Sequence, residues 1–236
     1  MQHLASTPAV TVGRFRVSRD VAIEIVRRYV AAPRPLDRRK SHGFDIYDAY
    51  RADSRYTPLD QPDLLVPVLL GAQTLTPNAY RWLTGRLDEI NAVLERIGPT
   101  ASLCDPEPDL ALLGELFSIL DDDPSDGVRI TILSKILHRK RPRIIPLWDA
   151  HSLACYSGVQ GRVPHQRTLG RSAYAVQMAR AMHEDLRATI PLWEELARLS
   201  AEPELTELRA LDIIAWTLGR RPELATASDA DIPALL

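Results

Sequence analysis

The chain has 236 residues, of which 45% are hydrophobic and 25% are charged, and these are ordinary values for a folded globular protein. Its formal net charge of −2 gives no overall attraction to a polyanion. No apolar run reaches the roughly 18 residues of a membrane span, and residues 1–17 lack the pattern of a secretion signal, so we expect a cytoplasmic protein.

The N-terminal part of the chain is predicted to begin with a flexible arm, residues 1–17, in which a short stretch of alternating apolar residues could pair or pack. Ser18 is a typical N-cap, and apolar residues follow it at helical spacing. Residues 33–43 are predicted to form a basic loop. Residues 60–71 are predicted to form an apolar helix that is kinked at Pro67.

The clearest helix lies in the middle of the chain. Thr76 is a typical N-cap, Pro77 occupies the first helical position, and one apolar face continues to Ile97 before Gly98 ends the helix. Further helices are predicted over residues 110–120, 128–138, from 149 onward, 171–189, 191–199 and 204–218.

No repeat, hairpin signal or strand of convincing length stands out, and the many helical segments predict an all-α fold. We expect a single helical domain over residues 18–221 with two lobes, one formed by the helices of about 76–150 and the other by the remaining helices. Residues 222–236 are predicted to be a weakly structured tail. Cys104 and Cys155 lack metal-ligand spacing, so reduced thiols and no structural metal are expected.

Most of the functional information lies in residues 127–156, which read GVRITILSKILHRKRPRIIPLWDAHSLACY. A turn with a glycine opens a helix, a basic loop and an apolar pair follow, and a second helix begins after Asp149. This order resembles the helix-hairpin-helix DNA glycosylases, in which a G-[IV]-G-x-x-[TS]-A hairpin precedes a P-x-D-[TS]-H-like segment with the catalytic aspartate. The matching residues are Gly127, Val128, Pro146, Asp149 and His151.

This resemblance implies a two-lobed helical fold and cleavage of an N-glycosidic bond in DNA without a cofactor. Arg129 replaces the second glycine of the hairpin, and Trp148 is an insertion before Asp149. Bifunctional members of the superfamily place an imine-forming lysine near the position of Thr131. Threonine cannot form an imine with a sugar, so the resemblance implies a monofunctional enzyme.

A second resemblance spans most of the chain. A bacterial family of unknown function has a K-[LI]-L-x-R-K-R-P-x-[LI]-[IV]-P-x-x-D core, which is residues 135–149 here, and an R-x-L-D-[IV]-x-x-W element, which is residues 209–216. The sequence GFDIYDAY at residues 43–50 fits the same family. This resemblance implies no particular activity.

Asp149 is the candidate catalytic residue, because cleavage of an N-glycosidic bond builds positive charge on the sugar and a carboxylate stabilises that charge. A carboxylate can also orient the attacking water molecule. The alternative role is structural, since an aspartate immediately before a helix is a favourable N-cap. The sequence leaves both interpretations open.

A run of basic residues without an acidic residue surrounds the loop between the two helices of this segment. Such a run at a hairpin can bind a phosphate backbone, and we expect duplex DNA as the partner. The alternatives are a solvated basic turn and ion pairs with residues 121–126. The candidate phosphate-binding residues are Lys135, Arg139, Lys140, Arg141 and Arg143.

Trp148 and His151 flank Asp149 and are candidates for a substrate pocket, with a core position as the alternative for Trp148. Asp212 lies in the apolar run LDIIAW, where a buried carboxylate needs a partner. An ion pair with Arg209, one turn earlier, is a simpler interpretation of Asp212 than a second catalytic acid.

These patterns favour a monofunctional DNA-glycosylase-like site with no cofactor and no metal. A non-catalytic nucleic-acid-binding module and a helical structural protein are the alternatives. A glycosylase needs a cleft that is open to Asp149, whereas a binding module needs only a basic surface. A structural protein would have Asp149 buried in a helix cap and its arginines paired.

Overall fold

The secondary structure is almost entirely helical in the computed structural model, which describes residues 8–31, 44–71, 75–122, 127–157 and 161–227. One small antiparallel sheet consists of β1 (Ala9–Val12) and β2 (Phe15–Ser18). The α-helices of the described residues are α1 (Arg19–Val30), α2 (Phe44–Tyr47), α3 (Pro77–Thr84), α4 (Leu87–Ile97), α5 (Leu110–Asp122), α6 (Ile130–Lys140), α7 (Ala150–Tyr156), α8 (Gln166–Leu169), α9 (Arg171–Ala188), α10 (Ile190–Ala197) and α11 (Glu207–Arg220). The expected all-α class is therefore confirmed.

The two strands form a β-hairpin that belongs to the core, although residues 8–17 were expected to be part of a flexible arm. Val10 lies opposite Val17 in the hairpin, and both side chains, with that of Val12, are fully buried. The alternation of apolar residues puts these valines on one face, where they pack against the helices. The rest of the predicted arm, residues 1–7, lies outside the described residues.

The β-hairpin and α11 hold α7 from two sides. The turn residue Gly13 has a φ of +60°, and a Cβ atom there would overlap the carbonyl of Cys155 in α7. The next amide, that of Arg14, donates a hydrogen bond of 3.1 Å to the same carbonyl. A Cβ atom at Gly219 of α11 would overlap the carbonyl of His151. These two close approaches fix the position of α7 and of Asp149, which precedes it.

Two of the predicted helix starts are confirmed, and one predicted helix is interrupted. Ser18 accepts a hydrogen bond from the amide of Val21, and Thr76 accepts one from the amide of Ala79. The helix that begins after Thr76 does not continue to residue 97, because the chain leaves helical geometry around Gly85 and α4 starts afresh at Leu87. The apolar stretch with Pro67 forms a 3-10 helix, Pro62–Leu70.

The central helices α6 and α11 are almost entirely buried, while α5 packs along α9 and α7 packs along α11. Buried helices of this kind form the interior around which the amphipathic helices assemble. The predicted C-terminal tail is partly ordered, since Pro222–Thr226 is a 3-10 helix with a fully buried Leu224. Residues 228–236 lie outside the description. None of the described helices is long and apolar enough to cross a membrane.

Candidate active site

Three of the residues expected to bind phosphate lie inside the protein. Arg139, Lys140 and Arg141 have exposed fractions of 3%, 0% and 6%. The Lys140 ammonium pairs with the Asp63 carboxylate at 2.6 Å, and both side chains are fully buried. The charged groups of these three residues, which we expected to contact phosphate, have partners in the interior instead.

Arg139 and Arg141 use their guanidinium groups to hold distant backbone segments. Arg139 donates to the carbonyl of Arg51 at 2.9 Å, and its guanidinium carbon lies 5.4 Å from the centre of the Tyr50 ring. Arg141 donates at 2.7 Å to the carbonyl of Leu94, in the last turn of α4. Both interactions replace hydrogen bonds that these carbonyls would otherwise make with water. The basic run therefore joins the end of α6 to residues 50–63 and to α4.

Arg143 is partly exposed, but its charge is paired as well. Its guanidinium group lies 2.5 Å from the carboxylate of Glu204 and 3.5 Å from that of Glu207. Ion pairs with residues 121–126 were the expected alternative, yet the Asp121 carboxylate instead accepts hydrogen bonds from the first amides of α9, including that of Arg171. Residues 123–126 lie outside the described residues. The prediction of an open phosphate-binding site at Arg143 is therefore not supported.

Lys135 is the member of the basic run that lines the same pocket as Asp149. This cavity, which we call the Asp149 pocket, has a volume of about 350 Å³, within the range of about 300–1,000 Å³ that is typical of small-molecule sites. Leu69 and Leu70, at the end of the 3-10 helix, form an apolar part of its rim. The polar and aromatic residues that line it are Tyr29, Lys135, Asp149, Arg209, Asp212 and Trp216.

Asp149 serves as a helix cap and also lines the pocket. Its Oδ1 accepts hydrogen bonds from the amides of His151 and Ser152, at 2.8 and 2.9 Å, and the Ser152 hydroxyl accepts one from the Asp149 amide. This is a complete capping box. Its other carboxylate oxygen, Oδ2, accepts no hydrogen bond from the described residues. One oxygen therefore holds α7, and the residue as a whole lines the pocket.

The Lys135 ammonium makes no hydrogen bond or ion pair with the described residues, although the side chain is only 8% exposed. Burial lowers its pKa, and the negative charge of Asp149 partly opposes that effect. The two groups are thus within electrostatic reach of each other without forming a direct pair. A buried ammonium without a partner can bind an acceptor supplied by a ligand.

Asp212 is the most deeply buried carboxyl group of the pocket, with an exposed fraction of 1%. Its Oδ2 accepts a hydrogen bond of 3.0 Å from the amide of Leu147, whereas its Oδ1 has no partner among the described residues. Burial raises the pKa of Asp212 well above its ordinary value, and the positive charge of Arg209 opposes this only in part. These surroundings favour the protonated carboxyl of Asp212 over its carboxylate.

The expected ion pair between Asp212 and Arg209 is wrong, because Arg209 pairs with Asp48. The guanidinium group donates through Nε and Nη2 to the two carboxylate oxygens of Asp48, each at 3.1 Å, and both side chains are buried. Asp48 belongs to the segment GFDIYDAY. Because this pair occupies the guanidinium group, Asp212 lacks a direct cationic partner among the described residues.

The two side chains expected to form a substrate pocket do not line it. Trp148 is fully buried and packs against Phe117, with ring centres 5.1 Å apart, which is the core position given as its alternative. His151 is exposed and lies outside the lining. Its ring contacts the edge of Trp216, at 6.3 Å between centres, and Trp216 is a residue of the pocket wall.

Several pocket residues were not identified from the sequence. Trp216 packs edge-to-face with Tyr29, at 5.8 Å between ring centres, and the exposed Arg220 places its guanidinium carbon 4.6 Å from the Trp216 ring centre. The sequence contains a pattern that indicates three of them together: Arg209, Asp212 and Trp216 are spaced i, i+3 and i+7 and therefore share one helix face. The three segments quoted for the second resemblance, residues 43–50, 135–149 and 209–216, meet at this pocket.

The fold and the pocket together define a helical protein with a carboxyl-lined cavity. Residues 22–219 match a family described as "Family of unknown function (DUF6308)", and the chain belongs to that family. The expectation of a family of unknown function is thereby confirmed. No curated protein matches the chain, and no solved structure does. Across the described ranges, no group of three or more His, Cys, Asp or Glu side chains is placed to hold a metal ion.

Proposed function

We propose that the Asp149 pocket is the active site of a hydrolase that cleaves the N-glycosidic bond of a nucleotide unit in DNA. The observation that carries this proposal is the double role of Asp149. Its Oδ1 is fixed by two backbone amides, while Oδ2 lacks a partner among the described residues in a pocket of nucleoside size. A rigidly held carboxylate with one accessible oxygen is what stabilisation of an oxocarbenium-like sugar requires.

The other side chains of the pocket support binding of a single nucleotide. Tyr29 and Trp216 offer aromatic surface against which a base can pack. Lys135 and Arg220 offer cationic groups that form no ion pair with the described residues and can bind a phosphate. These two residues take the role first expected of Arg139, Lys140 and Arg141, whose side chains are buried.

The resemblance of residues 127–151 to helix-hairpin-helix DNA glycosylases supports the same reaction. In this proposal α6 and α7 correspond to the helices that flank the catalytic aspartate, and the two-lobed arrangement of that superfamily is part of the proposal. Thr131, which lies near the position of the imine-forming lysine of bifunctional members, supports a monofunctional hydrolase.

A second candidate is a nucleotide-binding protein without catalysis. The complete capping box favours it, because capping alone would account for an aspartate at position 149. The arginines of the basic run also have partners within the protein, as expected of a protein in which this segment has a structural role and no catalytic one. The two candidates differ in whether the charge of Asp149 affects a reaction.

The test compares Asp149→Asn with a matched control. Asparagine also caps helices well, so Asp149→Asn keeps the cap and removes the charge. Asp109→Asn is the control, because Asp109 accepts the amide of Ala111 at the start of α5 and lies outside the pocket lining. Both variants are assayed with the native protein for base release from oligonucleotides, single-stranded and duplex, each carrying one altered base.

The expected result is that Asp149→Asn melts as the native protein does and releases base at least about 100-fold more slowly, as for the loss of one transition-state contact. The Asp109 variant should keep the native rate. Equal rates for native protein and Asp149→Asn would overturn the catalytic role. No base release by the native protein across the panel would overturn the hydrolase and favour the binding protein.

A further inference from the structure

Asp212 lies in the middle of α11, where most neighbouring residues are apolar and buried. A carboxyl group in such a position costs free energy unless it is neutral or paired. Its single hydrogen bond comes from the Leu147 amide, and its Oδ1 is buried without a partner among the residues that the structure describes. Because Asp212 is one of the residues that line the Asp149 pocket, we interpret this unsatisfied oxygen as a polar group that a ligand completes.

The charged groups around Asp212 do not supply that partner. On its own helix, Arg209 is bound by Asp48, and the negative charges of Asp149 and Asp48 both act on Asp212. Lys135 of α6 lies on the same pocket wall. Burial and the charge of Asp149 raise the pKa of Asp212, which favours the protonated carboxyl over the carboxylate.

We propose that Asp212 is the general acid of the hydrolysis for which Asp149 is the carboxylate; this inference rests on the proposed function. In the reaction, water attacks the anomeric carbon of the sugar and loses a proton to Asp149. The N-glycosidic bond breaks, its electron pair goes to the base nitrogen, and that nitrogen takes the proton of Asp212. The products are the free base and a sugar hydroxyl, and Asp212 recovers a proton from Asp149 or water in the next cycle.

Two carboxyl groups in different environments are a recurrent means of dividing acid and base roles. Here the division follows from the surroundings of each group. Asp149 is half-buried and accepts two amide hydrogen bonds, whereas Asp212 is fully buried and accepts one. The two groups line the same cavity.

The test uses Asp212→Asn, which keeps an acceptor for the Leu147 amide and cannot donate a proton to the base. Two purines serve as leaving groups in otherwise identical oligonucleotides. Hypoxanthine leaves as an anion unless it is protonated, whereas 7-methylguanine is already cationic and leaves as a neutral base. Asp185→Asn is the matched control, since Asp185 is also a buried carboxyl with a raised pKa but lies outside the pocket lining.

We expect Asp212→Asn to slow hypoxanthine release by about 100-fold or more, the usual contribution of a general acid, and to leave 7-methylguanine release unchanged. The Asp185 variant should not distinguish the two bases. If Asp212→Asn slows both bases equally or neither, Asp212 is not the general acid, although the hydrolase stands. If the native protein releases no base, the proposed function itself fails.

A measurement without substrate tests the protonation state directly. Carbon-13 NMR of the aspartate carboxyl groups follows each titration, and loss of one signal in Asp212→Asn assigns the residue. Asp212 should keep its proton at neutral pH in the native protein. Titration of Asp212 in the ordinary range for aspartate would overturn its assignment as an acid.

Discussion

Lys140 and Asp63 form an ion pair at 2.6 Å in which both side chains are fully buried. The ammonium also donates to the carbonyl of Ser54 at 2.9 Å, and Asp63 lies 3.4 Å from Arg51. The pair joins the end of α6 to the 3-10 helix that forms part of the pocket rim. Two charges in the interior are tolerated when each satisfies the other and additional hydrogen bonds complete them.

The first prediction concerns this buried pair. Lys140→Met should lower the free energy of unfolding by about 3–5 kcal/mol, because it leaves the Asp63 carboxylate buried without its main partner. Denaturant unfolding of the native and variant proteins measures the change. The double variant Lys140→Met with Asp63→Asn removes both charges and should recover a large part of the loss. A single variant as stable as the native protein would show that Lys140 is not part of a buried pair.

The second prediction concerns His138, whose ring is fully buried and donates from Nδ1 to the carbonyl of Ile145 at 2.6 Å. Burial and the positive charge of Arg209 lower its pKa from 6.5 to about 3. Below pH 6.5 His138 therefore binds a proton in the unfolded chain, whereas in the folded protein it stays neutral until the pH approaches 3. The stability that His138 contributes should be fully present above pH 6.5 and be lost as the pH falls from 6.5 towards 3.

The measurement for His138 compares the native protein with His138→Asn, whose amide can replace the Nδ1 donor. The difference in unfolding free energy between the two proteins should be largest above pH 7 and should shrink steadily on acidification. Comparing differences cancels the titration of the other residues. A difference that stays constant between pH 7 and pH 4 would contradict the neutral, buried state of the ring.

The contrast between the helix caps and the basic run shows what the sequence could predict. The sequence identifies Ser18 and Thr76 as N-caps and gives capping as one of two roles for Asp149, and each of the three accepts a backbone amide of the first helical turn. A cap is a local signal, since donor and acceptor lie within three residues. The partners of Lys140 and Arg141 lie 86 and 47 residues away in the chain, and no local pattern indicates them. Burial of these cations became evident only from the fold.

The sequence predicted only part of the pocket, because local patterns indicate residues that lie close together in the chain. Asp149 and Lys135 were singled out because they lie in one recognisable segment, and both line the cavity. Trp216 and Tyr29 come from α11 and α1, and only the packing of those helices joins them to Asp149. Trp148 was misplaced because neighbours in sequence at the start of a helix point in different directions, and its side chain points into the core.

The third prediction concerns Lys135. Lys135→Met keeps the length of the side chain and removes an ammonium that burial disfavours, so the variant should be at least as stable as the native protein. If the ammonium binds a phosphate, the affinity for adenosine 5′-monophosphate should fall about 10- to 100-fold, as for the loss of one charged hydrogen bond. Affinity for adenosine, which has no phosphate, should not change.

Isothermal titration calorimetry of both ligands measures this effect. Arg198→Met is the matched control, because Arg198 is an exposed cation outside the pocket lining. It should leave both affinities at their native values. Equal loss of affinity for the two ligands in Lys135→Met would assign Lys135 to the shape of the pocket and not to phosphate recognition.

The fourth prediction uses the stability of Asp212→Asn to determine the charge of Asp212 in the folded protein. Burial raises the pKa of Asp212 well above the ordinary value of 3.8. Below pH 3.8 the Asp212 carboxyl is protonated in both the folded and the unfolded state, so its ionisation does not change the free energy of unfolding. As the pH rises above 3.8 the unfolded chain loses the proton while the folded protein retains it, so the contribution of Asp212 to stability declines until the pH passes its pKa in the folded protein.

The amide that replaces this carboxyl in Asp212→Asn cannot ionise, so the variant has no such loss. Denaturant unfolding at a series of pH values should therefore show that the free energy of unfolding of the variant rises relative to that of the native protein from about pH 4 upward. If the free energy of unfolding of the variant instead falls relative to that of the native protein as the pH rises, Arg209 stabilises Asp212 as a carboxylate. The neutral acid proposed for the pocket would then not exist.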